Sequence, residues 1–118
     1  MTQLQTYIGT KIVGAMPEKA SNGAEGYRVV YKDGYTSWSP KEAFEEAYRL
    51  TDSMTFGDAL VMLRAGIAVK RRDWPTHCFL VMSNGALFYQ AEATRLAVAN
   101  GVDVAEADIL AEDWQVVE

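Results

Sequence analysis

The clearest pattern of apolar and polar positions lies between Met54 and Trp74. Apolar residues recur there at helical spacing, at Phe56, Ala59, Leu60 and Leu63. Thr55 precedes this run and Asp58 follows three residues later, where a carboxylate meets the free N–H groups at the start of a helix. Gly66 lies just past the end of this run, and glycine tolerates the left-handed backbone that often ends a helix. The pattern therefore predicts a capped helix with a glycine stop.

A short strand is predicted directly after this helix, and Pro75 ends it. Side chains alternate between the two faces of a strand. Ile67, Val69 and Arg71 therefore share one face, and Ala68, Lys70 and Arg72 share the other. The strand carries positive charge on both faces, next to Trp74.

In the first part of the chain, the apolar and β-branched run Tyr7–Met16 predicts a strand. Tyr27–Lys32 and Tyr35–Trp38 flank Asp33-Gly34, a pair that favours a two-residue type I′ turn, so they predict a hairpin. After the hairpin, the segment Ser39-Pro40-Lys41-Glu42 combines a capping box with a proline at the first helical position. A helix is therefore predicted to begin at Pro40.

The second part of the chain predicts a further hairpin, in which Cys78–Met82 and Ala86–Tyr89 bracket a Ser-Asn-Gly turn. The alanine-rich stretch Ala91–Asn100 predicts a short helix that Gly101 ends. Trp114–Val117 predicts a final strand. Between these two elements, Asp103 and Glu106 are positioned to cap one more helical turn.

These elements indicate an α+β fold with antiparallel β-sheets, hairpins and two or three short helices, in a small two-lobed chain. Thr51–Ser53 is the linker that the sequence suggests. We therefore expect an N-terminal ββ(β)α module at residues 1–52 and a second domain at residues 53–118.

Composition narrows the function classes. The net charge of −5 over 118 residues argues against a dedicated DNA-binding domain, because such domains normally carry a basic face. One cysteine and one histidine cannot form an internal disulfide or a four-ligand metal site, so we expect a reducing cytoplasm and no cofactor. No apolar run approaches the ~18 residues of a membrane span, and no signal peptide is evident.

The three cations from Lys70 to Arg72 beside Trp74 are the most suggestive candidate for binding. Guanidinium groups match phosphate oxygens and an indole stacks on a nucleobase, so the group fits an anionic ligand with an aromatic ring. The residues alone favour the alternative of a solvated strand end whose arginines pair with carboxylates. Asp108 and Asp113 fit either reading, as partners of ribose hydroxyls or of these arginines. Trp114 is by itself more typical of a core anchor.

Catalytic chemistry has little support in the sequence. His77 and Cys78 are neighbours in a strand and therefore point to opposite faces. The serines lack a Gly-x-Ser-x-Gly context, and neither a paired-carboxylate site nor a phosphate loop is evident. We therefore expect a binding protein and not an enzyme.

From Met54 onward the sequence resembles a phage family, the type 2 Thoeris anti-defence proteins. The matching pieces are MTFGDAL at 54–60, KRRDW at 70–74, FLV at 79–81 and DILAEDW at 108–114. Their ordered combination carries the resemblance. The N-terminal part, with YIGTK at 7–11 and SWSP at 37–40, looks like a module found on phage proteins of this kind.

The resemblance implies a sponge that sequesters the cyclic ADP-ribose-type signal of Thoeris defence without cleaving it, in the cytoplasm of the infected bacterial host. It also implies a homotetramer with ligand pockets between subunits, and for some members uptake of the cyclic dinucleotides of CBASS defence. Neither a nucleic-acid polymer nor a membrane is an expected partner. The ligand-binding residues implied here are Arg71, Arg72, Trp74, Phe56, Asp108 and Trp114. Residues 88–104 depart from the family pattern, so no pocket contact carries over from them.

Affinity arithmetic independently favours a shared pocket. A useful sponge needs roughly nanomolar affinity, about −12 kcal/mol. One base stack supplies about 1–3 kcal/mol and one charged hydrogen bond about 1.5–3 kcal/mol before ordering costs, so Trp74 and Arg71 alone are insufficient. The alternative function is a protein-binding inhibitor that blocks a host defence enzyme or effector through the N-terminal lobe.

Overall fold

The computed structural model describes residues 3–98 and 104–117. The chain divides between Tyr48 and Arg49 into two compact units, called unit 1 and unit 2 below. Each contains an antiparallel sheet and at least one helix, so the predicted α+β class is confirmed.

Unit 1 is a three-stranded sheet with one helix. Its elements are β1 (Gly14–Pro17), β2 (Gly26–Val30), β3 (Thr36–Pro40) and α1 (Lys41–Ala47). The central strand is β2, and both of its neighbours run antiparallel to it. The Tyr27 ring stacks on Phe44 of the helix at 4.3 Å, and its hydroxyl donates to Glu45 at 2.6 Å. Val29 shares the face of Tyr27 and is buried.

Three details of unit 1 differ from the sequence predictions. The first strand begins only at Gly14, because its partner strand ends at Val30 and gives earlier residues no ladder to join. The hairpin is present, but its turn is not type I′: Gly34 has a φ of +90° and Asp33 is not among the described residues with positive φ. The first helix begins at Lys41, and no side chain caps it, so the predicted capping box is absent.

Unit 2 is a five-stranded antiparallel sheet with two helices. Its elements in chain order are α2 (Phe56–Arg64), β4 (Val69–Arg71), β5 (Cys78–Ser83), β6 (Ala86–Ala91), β7 (Thr94–Ala97), α3 (Glu106–Ile109) and β8 (Trp114–Val116). The strand order is β7-β6-β5-β4-β8, so the last strand pairs with β4 instead of its neighbour in sequence. The predicted final strand is confirmed.

The predicted caps of α2 are confirmed. The Thr55 hydroxyl accepts from the Asp58 N–H at 3.1 Å, and the Asp58 carboxylate accepts from the Thr55 N–H at 3.2 Å. Gly66, with a φ of +84°, follows the C-terminal cap. The helix buries its inner face in a core that contains Met54, Ala59, Met62, Leu63, Val69, Leu80 and Trp114.

The hairpin of β5 and β6 is confirmed, and it contains the type I′ turn of unit 2. Asn84 and Gly85 have φ values of +51° and +78°, the two positive angles that this turn requires. Asparagine and glycine tolerate these angles at little steric cost.

The helix predicted at 91–100 is wrong over the part that the structure describes. Residues there form the end of β6 and then β7, whose Ala97 lies opposite Phe88. Glu92, with a φ of +53°, lies between the two strands. Strand pairing outweighs the helix propensity of the alanines. The predicted stop at Gly101 and cap at Asp103 lie outside the described residues.

Candidate ligand-binding corner

The predicted site residues come from three separate stretches that meet at one corner of unit 2. Arg71 is the last residue of β4 and lies opposite Trp114, the first residue of β8. Trp74 lies in the turn that follows β4, and its backbone N–H donates to the carbonyl of Arg71 at 3.1 Å. Phe56 begins α2, and Asp108 lies in α3.

The Arg71 guanidinium is held between two carboxylates. Its Nε and Nη2 donate to the two oxygens of Asp113, the latter bond measuring 3.2 Å, and its Nη1 donates to Asp108 at 2.5 Å. The three side chains are 21%, 22% and 16% exposed, so solvent screens them only in part. This is the bidentate geometry that suits arginine and carboxylate.

The electrostatics of this triad follow from its geometry. The hydrogen bond with Asp113 raises the pKa of Arg71, against the opposing effect of burial. The same hydrogen bond, donated by Arg71, lowers the pKa of Asp113. With both aspartates ionised the triad carries a net charge of −1, so by itself it attracts hydroxyl donors more than phosphates.

Four aromatic rings pack beside the triad. Trp114 is fully buried, and its indole N–H donates to the carbonyl of Asp108 at 2.8 Å. Trp74 meets it edge-on at 5.3 Å, and Phe56 lies against it at the same distance. Tyr89 packs on the edge of Trp74 at 5.7 Å. Trp74 is half-buried, so part of its surface remains open to a ligand.

Lys70 has a structural role that its position in a basic run does not reveal. The residue is 8% exposed, and its ammonium donates to the carbonyls of Arg71 at 3.0 Å, Arg72 at 3.2 Å and Trp74 at 2.8 Å. An ammonium has three donors, and three backbone acceptors use them. Lys70 therefore clamps the turn that carries Trp74.

Arg72 lies apart from the corner. It lies in the turn after β4, and its Nη2 donates to the carbonyl of Asp52 at 3.1 Å and to the Ser53 hydroxyl at 3.4 Å. Of the residues proposed from the sequence, the structure thus brings Arg71, Trp74, Phe56, Asp108 and Trp114 together. It places Arg72 in the turn after β4, against Asp52.

Asp113 and Tyr89 also belong to the corner, although neither was among the predicted ligand-binding residues. The sequence does point to Asp113, since it stands beside Trp114 and fits the role of an arginine partner. It does not point to Tyr89, because the contact of Tyr89 depends on the register that places it opposite Leu80. The hydrogen bond with Cys78, and after it burial, raises the pKa of Tyr89.

Within residues 3–98 and 104–117, no group of three or more histidine, cysteine, aspartate or glutamate side chains is placed to hold a metal ion. In the same ranges, no helix has the length and apolar character needed to cross a bilayer.

Comparison with known proteins identifies the segment that contains the corner. The family model of the Thoeris anti-defense 2-like (Tad2-like) domain matches residues 54–117. Comparisons with curated proteins and with solved structures gave no match. The matched segment includes every predicted ligand-binding residue and ends one residue beyond β8.

Proposed function

Because the chain belongs to the Thoeris anti-defense 2-like family, we propose that it binds the cyclic ADP-ribose-type signal of Thoeris defence and keeps it from the effector without cleaving it. The activity is proposed to take place in the cytoplasm of the infected bacterial host. Cyclic dinucleotides of CBASS defence are proposed as further ligands. To sequester the signal, the protein needs a high affinity for it and enough copies to bind it, but no nucleophile or metal.

The observation that carries the proposal is the half-buried Trp74 beside carboxylates of fixed position. The open part of the indole can stack on an adenine, for about 1–3 kcal/mol. Asp108 and Asp113 are oriented by Arg71 and retain lone pairs that can accept from ribose hydroxyls. Because these groups are fixed before binding, little ordering cost is added.

The charge of the corner supports a pocket completed by another subunit. A cyclic ADP-ribose carries a pyrophosphate, and the triad of Arg71 with its two aspartates has a net negative charge. Cations from elsewhere must therefore meet the phosphates. Arg72 is exposed in the turn after β4, and we assign it this role toward the pocket of a neighbouring copy in a tetramer.

The test is to incubate the protein with a cyclic ADP-ribose isomer, remove unbound ligand, denature the protein with heat and assay the supernatant. Recovery of intact signal that activates the effector is the expected result. Recovery of a degraded product means that the protein is an enzyme, and recovery of nothing means that it does not bind this ligand.

A matched pair of variants locates the site. Trp74→Phe keeps a ring against Trp114 but loses indole surface, and we expect about a fivefold weaker affinity from a loss of about 1 kcal/mol in stacking. Trp38→Phe makes the same change in unit 1 and should bind as tightly as the parent. Equal effects of both changes would exclude the corner as the site.

The alternative function is a protein-binding inhibitor that blocks a host defence enzyme or effector through unit 1. The observation that favours it is the number of large apolar side chains that unit 1 exposes. Size-exclusion chromatography with a panel of nucleotides distinguishes the two functions, since an inhibitor of this kind retains no nucleotide.

A further inference from the structure

Unit 1 has very little core for its size. Among its described residues, Val29 is the only large apolar residue that is fully buried. The exposed large apolar residues of this unit are Leu4, Tyr7, Ile8, Ile12, Met16, Val30, Tyr35 and Trp38. A three-stranded sheet needs a packed apolar face for stability, and the short α1 covers only one face here.

The other face of this sheet is defined by five residues. Strand alternation places Gly26, Arg28 and Val30 opposite the face of Tyr27 and Val29 that α1 covers. The register adds Met16 and Trp38, which lie on either side of Arg28. We call Met16, Gly26, Arg28, Val30 and Trp38 the uncovered face. Its apolar members Met16, Val30 and Trp38 are 55%, 39% and 36% exposed.

Two side chains of the uncovered face, Trp38 and Arg28, are held in place. Trp38 lies so close over Gly26 that an added Cβ would come within 2.4 Å of the indole ring. The indole N–H donates to the carbonyl of Glu18 at 2.8 Å, and the Arg28 guanidinium pairs with the Glu18 carboxylate at 2.7 Å. These groups therefore have little freedom left to lose when something binds.

The composition of the uncovered face is that of a protein interface. Tryptophan, arginine and methionine are enriched at the centres of such interfaces, where rigid side chains supply most of the binding energy. The fixed charges here are Arg28 and Glu18, which neutralise each other. Glycine in a strand interior weakens the strand, and here it makes room for an indole that is fixed although it is exposed. Such a surface is typical of a site that contacts a partner and not only solvent.

We propose that two copies of the chain dimerise through the uncovered face, with the sheets of unit 1 packed against each other. The chain carries a net charge of −5, so most approaches of two copies bring like charges together. The one charged residue of the uncovered face, Arg28, is neutralised by Glu18, so two such faces meet without net repulsion, and across a two-fold axis Arg28 of each copy can approach Glu18 of the other. A second sheet also supplies the missing half of the core of unit 1.

This dimer goes beyond the proposed function: its residues lie in unit 1 and the ligand corner lies in unit 2, so assembly mass and nucleotide recovery test the two proposals separately. One test is the mass of the full-length protein by light scattering, for the parent and for Met16→Glu. Met16 is more than half exposed, so the variant should fold and melt like the parent, but glutamates facing each other should prevent the contact. The expected result is half of the parent's assembly mass.

Crosslinking gives a second test that does not depend on the stability of a charged variant. The native Cys78 is buried, so an introduced cysteine is the reactive one. Val30→Cys with a short bismaleimide should give a covalent dimer, and Glu46→Cys, an exposed position on α1, should not. Adding Met16→Glu to Val30→Cys should abolish the product.

Three outcomes overturn the proposal: an unchanged mass for folded Met16→Glu, no crosslink from folded Val30→Cys, or equal crosslinks from Val30→Cys and Glu46→Cys. Any of them means that the uncovered face does not join two copies of this chain.

Discussion

Replacing Lys70 by methionine tests whether the clamp on the Trp74 turn stabilises unit 2. Methionine has a similar length and keeps the apolar contacts of the lysine stem, but it removes hydrogen bonds to three carbonyls, at 2.8–3.2 Å. Hydrogen bonds to a charged group each contribute about 1.5–3 kcal/mol net to stability. The variant also no longer has to bury an ammonium that is 8% exposed, which offsets part of that loss by several kcal/mol.

We expect a net loss of about 2 kcal/mol, close to the contribution of one such bond. For a unit of this size that corresponds to a fall in Tm of roughly 8–16 °C. Urea unfolding followed by tryptophan fluorescence measures it. The matched control is Arg72→Met, which removes a neighbouring exposed cation and should change the stability by less than about 0.5 kcal/mol.

Lys70→Met should also have a local effect. Because Lys70 holds the backbone on both sides of Trp74, Lys70→Met should loosen the turn and weaken ligand binding, and Arg72→Met should leave the melt unchanged. If Lys70→Met is as stable as the parent, then hydrogen bonds from water satisfy the three carbonyls as well as the ammonium does. Lys70 would in that case be a buried cation without a structural role.

Three further predictions concern the triad and the uncovered face. Arg71→Met should cost about 1–3 kcal/mol in urea unfolding, because it leaves two partly buried carboxylates without a counter-ion, and adding Asp113→Asn should restore part of this loss. The pKa of Asp113 is lower in the folded chain than its unfolded value of about 3.9, so its contribution is fully present above that pH and is lost as the pH falls through the folded pKa. The parent should therefore lose more stability than Asp113→Asn below about pH 4, and parallel pH profiles would contradict this. Gly26→Ala should displace Trp38 and cost unit 1 about 1–3 kcal/mol, visible as a shifted indole N–H resonance.

Local signals predicted local structure well. The caps of α2 were predictable because Thr55, Asp58 and Gly66 act within one or two turns of the chain. The two hairpins were also predictable, but the type I′ turn was expected at Asp33-Gly34 and the structure has one at Asn84-Gly85. A turn type depends on the number of residues that the register leaves between the strands, and that register is set by pairing along the whole ladder.

Long-range contacts mark the limit of the sequence argument. The composition suggested that arginines would pair with aspartates, and Arg71 does so with Asp113, which is 42 residues away. Strand alternation predicted that Arg71 and Arg72 would point apart, but nothing in the sequence showed which partner each would contact. Residues 91–98 were missed for a related reason, since β7 is extended only because β6 offers it an edge.

The pairing of β4 with β8 also affects how the chain folds during synthesis. The sheet of unit 1 joins strands that follow one another closely, so its contacts form soon after they are made. The inner strand β4 must wait for a partner that is translated after β5, β6 and β7, and until then one edge of Val69 and Arg71 stays unpaired. Unit 2 should therefore close late, in one step in which Trp114 and the Arg71 ion pairs form together. A ribosome-bound chain lacking β8 should be far more sensitive to protease in unit 2 than the released protein.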